Sequence, residues 1–91
     1  MNAVKVFVTT YCPFCDAAKR YLEKKGVPFE TIDVTDDAER RQWLVETTGR
    51  RTVPQLFVGP HAIGGYTDLC ALDKEGKLLP MLSEQEIPFR A

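Results

Sequence analysis

Val4-Lys5-Val6-Phe7-Val8-Thr9-Thr10-Tyr11-Cys12-Pro13-Phe14-Cys15 is the stretch whose reading decides the fold. Its first part, through Thr9, is short, β-branched and aromatic, which predicts a mostly buried strand. From Phe14 onward the apolar positions Phe14, Ala17, Ala18, Tyr21 and Leu22 fall at i, i+3, i+4, i+7 and i+8, the stripe of an amphipathic helix. Gly26 supplies a left-handed stop, and Pro28 prevents continuation. The strand-to-helix junction therefore falls on the cysteines. Proline suits the first helical position, so Pro13 makes Cys12 the N-cap. An acceptor there meets the free N–H groups of Phe14 and Cys15, and the helix dipole adds to this. Both effects favour a thiolate, so Cys12 is expected to ionise below the free-thiol value of about 8.5. Asp16, a like charge in the first turn, partly opposes the shift. Only a thiolate attacks disulfides at a useful rate, and Cys15, one turn in, sits close enough to attack a mixed disulfide formed on Cys12.

Working outward, Phe29 to Val34 alternates enough for a second strand. Thr35 to Thr48 reads as a second helix, entered through Asp36 and Glu39 at capping-box spacing and ended by Gly49. Gln55 to Val58 and His61 to Ile63, separated by Gly59-Pro60, read as a hairpin. A third helix is expected from Gly64-Gly65 to near Gly76, with Leu78 to Leu82 adding a final turn. Ser83 to Ala91 gives no clear signal. The order β-α-β-α-β-β-α makes the first two strands parallel through a right-handed crossover and the last two antiparallel. A four-stranded mixed sheet with helices on both faces, an α/β architecture, buries all these stripes.

The chain has 91 residues, 44% hydrophobic and 27% charged, which suits a single domain spanning residues 1–91. A net charge of −1 argues against a nucleic-acid partner: Arg40-Arg41 and Arg50-Arg51 have Asp36, Asp37, Glu39 and Glu46 nearby and read as a mixed-sign surface. No stretch approaches the roughly 18 apolar residues of a membrane span, and the N-terminus leads straight into a needed strand, so a cytoplasmic location is expected. The chain has three cysteines, too few for a disulfide scaffold. A zinc site would need a second ligand pair, and the remaining candidates, His61 and Cys70, are nine residues apart on different elements. No metal is therefore expected, and with no Gly-rich phosphate loop, no nicotinamide or flavin. Trp43 reads as packing at the helix–sheet boundary, His61 as a solvated turn residue and Cys70 as a small half-buried apolar residue. Tyr11 either shields the active site or packs into the core.

Three segments in order resemble a glutaredoxin of the short, bacterial-type dithiol class. Cys12-Pro13-Phe14-Cys15 is similar to that family's active site, with Phe14 where Tyr is commoner. Thr52-Val53-Pro54 resembles its TVP segment, and Ile63-Gly64-Gly65-Tyr66-Thr67-Asp68-Leu69 its glycine-pair motif. The resemblance implies a thioredoxin-like fold from about Val4 to Leu82, a cis Val53–Pro54 bond facing the cysteines, and a glutathione-disulfide oxidoreductase. It further implies Cys12 as nucleophile and Cys15 as resolving thiol, with glutathione as co-substrate held by Thr52, Val53, Pro54, Gly65, Tyr66, Thr67 and Asp68. Free N–H groups of Tyr66 and Thr67 would take the γ-glutamyl carboxylate. Asp68 would either accept from the ammonium or cap the helix. The implied partners are glutathione and disulfide-containing or glutathionylated proteins, ribonucleotide reductase among them as a family expectation, with the chain a monomer. One position departs from the pattern: Thr9 stands where the family often has a Lys that meets the glycine carboxylate. Arg41, Arg50 and Arg51 are the candidates to compensate. The alternative from another class is a dimer sharing an iron–sulfur cluster through Cys12 and glutathione; Pro13, where such members more often carry Gly or Ser, weighs against it.

Overall fold

The computed structural model describes residues 3–89. In chain order the elements are β1 Val4–Val8, α1 Pro13–Lys24, β2 Phe29–Asp33, α2 Ala38–Thr48, β3 Gln55–Val58, β4 His61–Gly64, α3 Tyr66–Lys74 and α4 Leu78–Glu84. One sheet holds all four strands in the order β2-β1-β3-β4, with β1 parallel to β2 and antiparallel to β3, and β3 antiparallel to β4. Two reversals make β4 run with β1. The ends of β1 and β4 and the start of β3 therefore lie at one end of the sheet, and the three sequence segments singled out above follow from that end.

Alternation along the strands divides the core between two faces. Val4, Val6, Val8, Leu56 and Val58 point to one face and are buried against Ala18 and Leu22 of α1, Leu69 of α3, and Leu78 and Leu82 of α4. Phe7 and Phe57 point to the other and pack with Val34 and Leu44 of α2. Helices thus cover both faces, as the pattern requires. Trp43 packs at the boundary between α2 and the sheet, as expected. It lies over the rings of Phe7 and Phe57, at 5.8 and 5.6 Å between centroids, and leaves 47% of its surface exposed.

The structure corrects two boundaries. Asp37, not Asp36, caps α2: its carboxylate accepts from the Arg40 N–H at 3.0 Å. Residues 33–37 form a turn in which Thr35 N–H donates to Asp33 Oδ1 and Asp37 N–H to Val34 C=O, so the helix begins at Ala38 and not at Thr35. The final turn is a full helix, α4. Pro80 is tolerated at its third position, where its missing N–H belongs to the first-turn donors that have no partner inside the helix. Beyond α4, Glu86 adopts φ 57°, and Ile87 N–H returns to Leu82 C=O at 2.9 Å, which buries Ile87. Among the described residues no helix is long and apolar enough to cross a membrane.

A clamp that the sequence does not announce ties α1 to α3. The Tyr21 hydroxyl donates to Asp73 Oδ2, and Lys25 Nζ lies 2.9 Å from the same oxygen. Burial first, then the carboxylate, holds the Tyr21 phenol far above its usual range, and the Tyr21 and Lys25 donors hold the Asp73 carboxyl below its own.

Candidate active site

Cys12 occupies the N-cap of α1 with an extended backbone, φ −155° and ψ 96°, and Pro13 follows at the first helical position. The Cys15 N–H donates to Cys12 Sγ at 3.1 Å. The two cysteines are paired as a disulfide with Cα atoms 5.1 Å apart. Their exposures differ sharply: Cys12 is half-buried at the surface, whereas Cys15 is 1% exposed beneath it. A reagent arriving from solvent meets Cys12. Asp16, the like charge of the first turn, is ion-paired with Lys19 at 3.3 Å, which weakens its opposition to a Cys12 thiolate. Tyr11 is 88% exposed beside the pair, so the core-packing alternative for it is excluded.

The Val53–Pro54 bond is cis, and the Val53 carbonyl oxygen lies 3.7 Å from Cys12 Sγ. Pro54 is buried, and its carbonyl oxygen would stand 3.4 Å from a Cβ at Gly65, so glycine there permits the loop to approach the start of α3. Gly64 has φ 97°, and a side chain on it would strike the Asp68 carboxylate. Asp68 does cap the helix. Its Oδ2 accepts from the Gly65 N–H at 2.9 Å, and this bond, followed by Arg50, holds its carboxyl below the usual Asp range. The first helical bond is Leu69 N–H to Gly65 C=O, which leaves the Tyr66 and Thr67 N–H groups outside the helical ladder.

These segments enclose a groove of about 190 Å³. Residues 52–54 and 65–68, all seven positions expected to bind substrate, line it. Phe14 of the cysteine motif and Arg50, one of the three candidate arginines, join them. Phe14 is 62% exposed, with its ring 6.4 Å from that of Tyr66. Arg50 Nη1 lies 2.8 Å from Asp68 Oδ2, a link across 18 residues that leaves no periodic trace in the chain. A buried glutamine holds Arg50 in place. Gln55, 3% exposed, donates through Nε2 to the Arg50 carbonyl at 2.9 Å, and its Oε1 lies 2.8 Å from the Thr48 hydroxyl. The one available signal was a polar residue opening an otherwise apolar strand.

A second cavity, about 310 Å³, adjoins the groove through Val53 and Arg50; Arg41 of α2 and Arg51 line it. Thr9 is half-buried just past β1, with a neutral hydroxyl only. Cys70 is a free, half-buried thiol on α3. His61 is exposed at the first position of β4, paired with Val58. Among the described residues no group of three or more His, Cys, Asp or Glu side chains is placed to hold a metal ion.

The arrangement is that of known proteins. The family model described as Glutaredoxin matches residues 4–63. A glutaredoxin of Solanum lycopersicum is 46% identical over 86 residues, covering 91% of this chain and 80% of its own. Glutaredoxin 3 of Escherichia coli is 40% identical over 82 residues, covering 90% and 99% respectively. The crystal structure of a buckwheat glutaredoxin–glutathione complex superposes with a TM-score of 0.85 at 34% identity, covering 93% of this chain and 80% of that one. With a half-buried sulfur over a fully buried one at a helix start, and relatives matched over 80–99% of their own length, the chain belongs to the glutaredoxin family of thiol–disulfide oxidoreductases.

Proposed function

We propose that the protein reduces glutathione mixed disulfides and protein disulfides, with glutathione as reductant, Cys12 as nucleophile and Cys15 as resolving thiol. The observation that carries this is the pairing of an accessible, amide-bonded Cys12 sulfur with a shielded Cys15 at the rim of the groove. In reduced protein the Cys15 N–H and the start of α1 stabilise a Cys12 thiolate. That thiolate attacks the glutathione sulfur of a mixed disulfide, forming Cys12–S–S–glutathione and expelling the target thiolate, which takes a proton from solvent. A second glutathione thiolate then attacks the glutathione sulfur of this adduct, giving oxidised glutathione and restoring Cys12. With a protein disulfide, Cys12 forms the mixed disulfide. Cys15, deprotonated, then attacks Cys12 Sγ and releases the target dithiol, which leaves the Cys12–Cys15 bridge for two glutathiones to reduce.

The groove fits an extended tripeptide beside Cys12. Thr52, Val53 and Pro54 run along one side of it and Gly65 closes the other. The N–H groups of Tyr66 and Thr67 face the γ-glutamyl carboxylate, and Asp68 is the partner for the ammonium. The glycine carboxylate, lacking a Lys at position 9, falls to Arg41 and Arg51 across the adjoining cavity. The buckwheat relative in complex with glutathione supports this ligand. A glutathione pool is needed as reductant, which fits the cytoplasm. One copy suffices, since both sulfurs and the groove belong to a single chain.

The test is a pair of variants. Cys15→Ser should retain deglutathionylation of a glutathionylated peptide and lose reduction of a protein disulfide, whereas Cys12→Ser should lose both. Activity surviving in Cys12→Ser would sink the proposal.

A further inference from the structure

Residues 49–54 join the end of α2 to the start of β3 and carry one wall of the groove. Little packing holds the first four of them. Residues 49–52 are exposed, and cavities of about 310 and 260 Å³ border the segment besides the groove itself. Among the described residues, the backbone of positions 51–54 makes no bond to another backbone group. Two side chains tie the segment down instead. The Thr48 hydroxyl accepts from the Arg50 N–H at 3.1 Å, and the Gln55 amide donates to the Arg50 carbonyl at 2.9 Å. Gln55 Oε1 lies 2.8 Å from the same hydroxyl, so one buried amide links the last residue of α2 to the first of β3.

Gln55 is itself fixed, because it pairs with Phe7 of β1 in the interior of the sheet. The position needs an amide. A carbonyl only accepts, so its partner must donate; a carboxylate would repel it, and a Leu of similar size would leave it unpaired. Val53 lies three residues beyond Arg50, and its carbonyl oxygen stands 3.7 Å from Cys12 Sγ. A ligand extended beside Cys12 meets the Val53 backbone, whose place is set by the ties at Arg50 and Gln55. A short ligand such as cysteamine reaches the sulfur without meeting it.

We propose that Gln55 is a positioning residue: its amide holds the Val53 backbone where an extended ligand on Cys12 needs it, and it takes no part in the sulfur chemistry. The assignment rests on the glutathione reading above and extends it to a side chain that does not line the groove.

The experiment measures second-order rates of reduced protein with one peptide carried as two mixed disulfides, capped with glutathione or with cysteamine. The pH profile of Cys12 alkylation by iodoacetamide is followed beside them. Wild type should favour the glutathione cap. In Gln55→Leu that preference should fall about three- to tenfold, the loss of one well-placed hydrogen bond, with the cysteamine rate within about twofold and the alkylation midpoint unmoved. Gln55→Glu keeps the acceptor for Thr48, loses the donor for Arg50 and should fall as far. Thr48→Val frees the other end of the amide and should shift the preference the same way, whereas Thr48→Ser should restore it. The Thr48 pair carries the comparison if neither Gln55 variant folds. A merely structural role slows both caps in proportion, and that result, or a preference unchanged in the folded variants, overturns the assignment. So does a shifted alkylation midpoint, since Gln55 would then act on the sulfur. A wild type no faster with the glutathione cap than with cysteamine overturns the glutathione reading, and the Gln55 role with it.

Discussion

Removing the Asp73 carboxylate should unlock α3 from α1 without touching the cysteines. Asp73 is 13% exposed at its side chain and accepts from the Tyr21 hydroxyl and from Lys25 Nζ at 2.9 Å. A hydrogen bond to a charged acceptor contributes about 1.5–3 kcal/mol, and the Lys25 pair, 37% exposed on its cationic side, adds at most about 1. Asp73→Ala should therefore lose about 2–4 kcal/mol, which for a domain of this size lowers Tm by roughly 10–20 °C. Asp73→Asn, still an acceptor for Tyr21 but neutral, should lose about half of that. The pH dependence is diagnostic. Tyr21 and Lys25 hold the Asp73 carboxyl below its ordinary value, so its stabilisation is complete above about pH 4 and disappears as pH falls through the native titration. The Tyr21 phenol is raised, so its share is complete below about pH 10 and declines above that. Thermal melts followed by circular dichroism should show the gap between wild type and Asp73→Ala widest near neutrality and narrower at both extremes. Alkylation of Cys12 at 25 °C should stay within about twofold of wild type, since the clamp lies away from the cap bond. A variant melting within about 3 °C of wild type at neutral pH, or a gap as wide at about pH 3 as at neutrality, would refute the clamp.

Arg41→Gln should raise KM for a glutathionylated peptide by about three- to tenfold with kcat unchanged, because the lost contact is made equally in ground and transition states; an unchanged KM removes Arg41 from the glycine end. Leu56→Ala, at a fully buried position of central strand β3, should cost about 2–5 kcal/mol, read as a shift in the urea midpoint with the slope retained. A loss under about 1 kcal/mol would mean that the helices around it collapse into the space.

What the sequence made legible was local. The strand through Val8, the proline after Cys12 and the stripe from Phe14 to Leu22 interact within one turn or one register. Their order alone then dictated the parallel β1–β2 pair and the antiparallel β3–β4 pair. The glycine pair was legible for the same reason, since the Gly64 conformation and the Asp68 cap lie within five residues of each other. The choice between Asp36 and Asp37 turned on a single reverse-turn bond to Val34, which residue type does not encode. Tyr21–Asp73, across 52 residues, and Arg50–Asp68, across 18, are pairings of side chains whose partners no local spacing reveals. Ile87 is buried only because the chain reverses at Glu86, a residue with no preference for positive φ.

The groove divides its labour along the same line. The parts legible from motif, the cap at Cys12, the Val53 carbonyl and the N–H groups ahead of α3, are backbone groups or sulfur, and they can serve any extended disulfide. Under the proposed function, the contacts that distinguish one ligand from another fall to charged side chains, Asp68 at the start of α3, and Arg41 and Arg51, which come from α2 and the segment that follows it. That segment is anchored by the buried Gln55 amide, so its backbone is fixed while its side chains project into solvent-facing cavities. A substitution among these arginines alters a charge contact without opening the core or disturbing the Cys15 N–H to Cys12 bond. On that reading specificity can change independently of sulfur reactivity, because the arginines belong to α2 and the segment after it, whereas the bond that holds the Cys12 sulfur belongs to the start of α1.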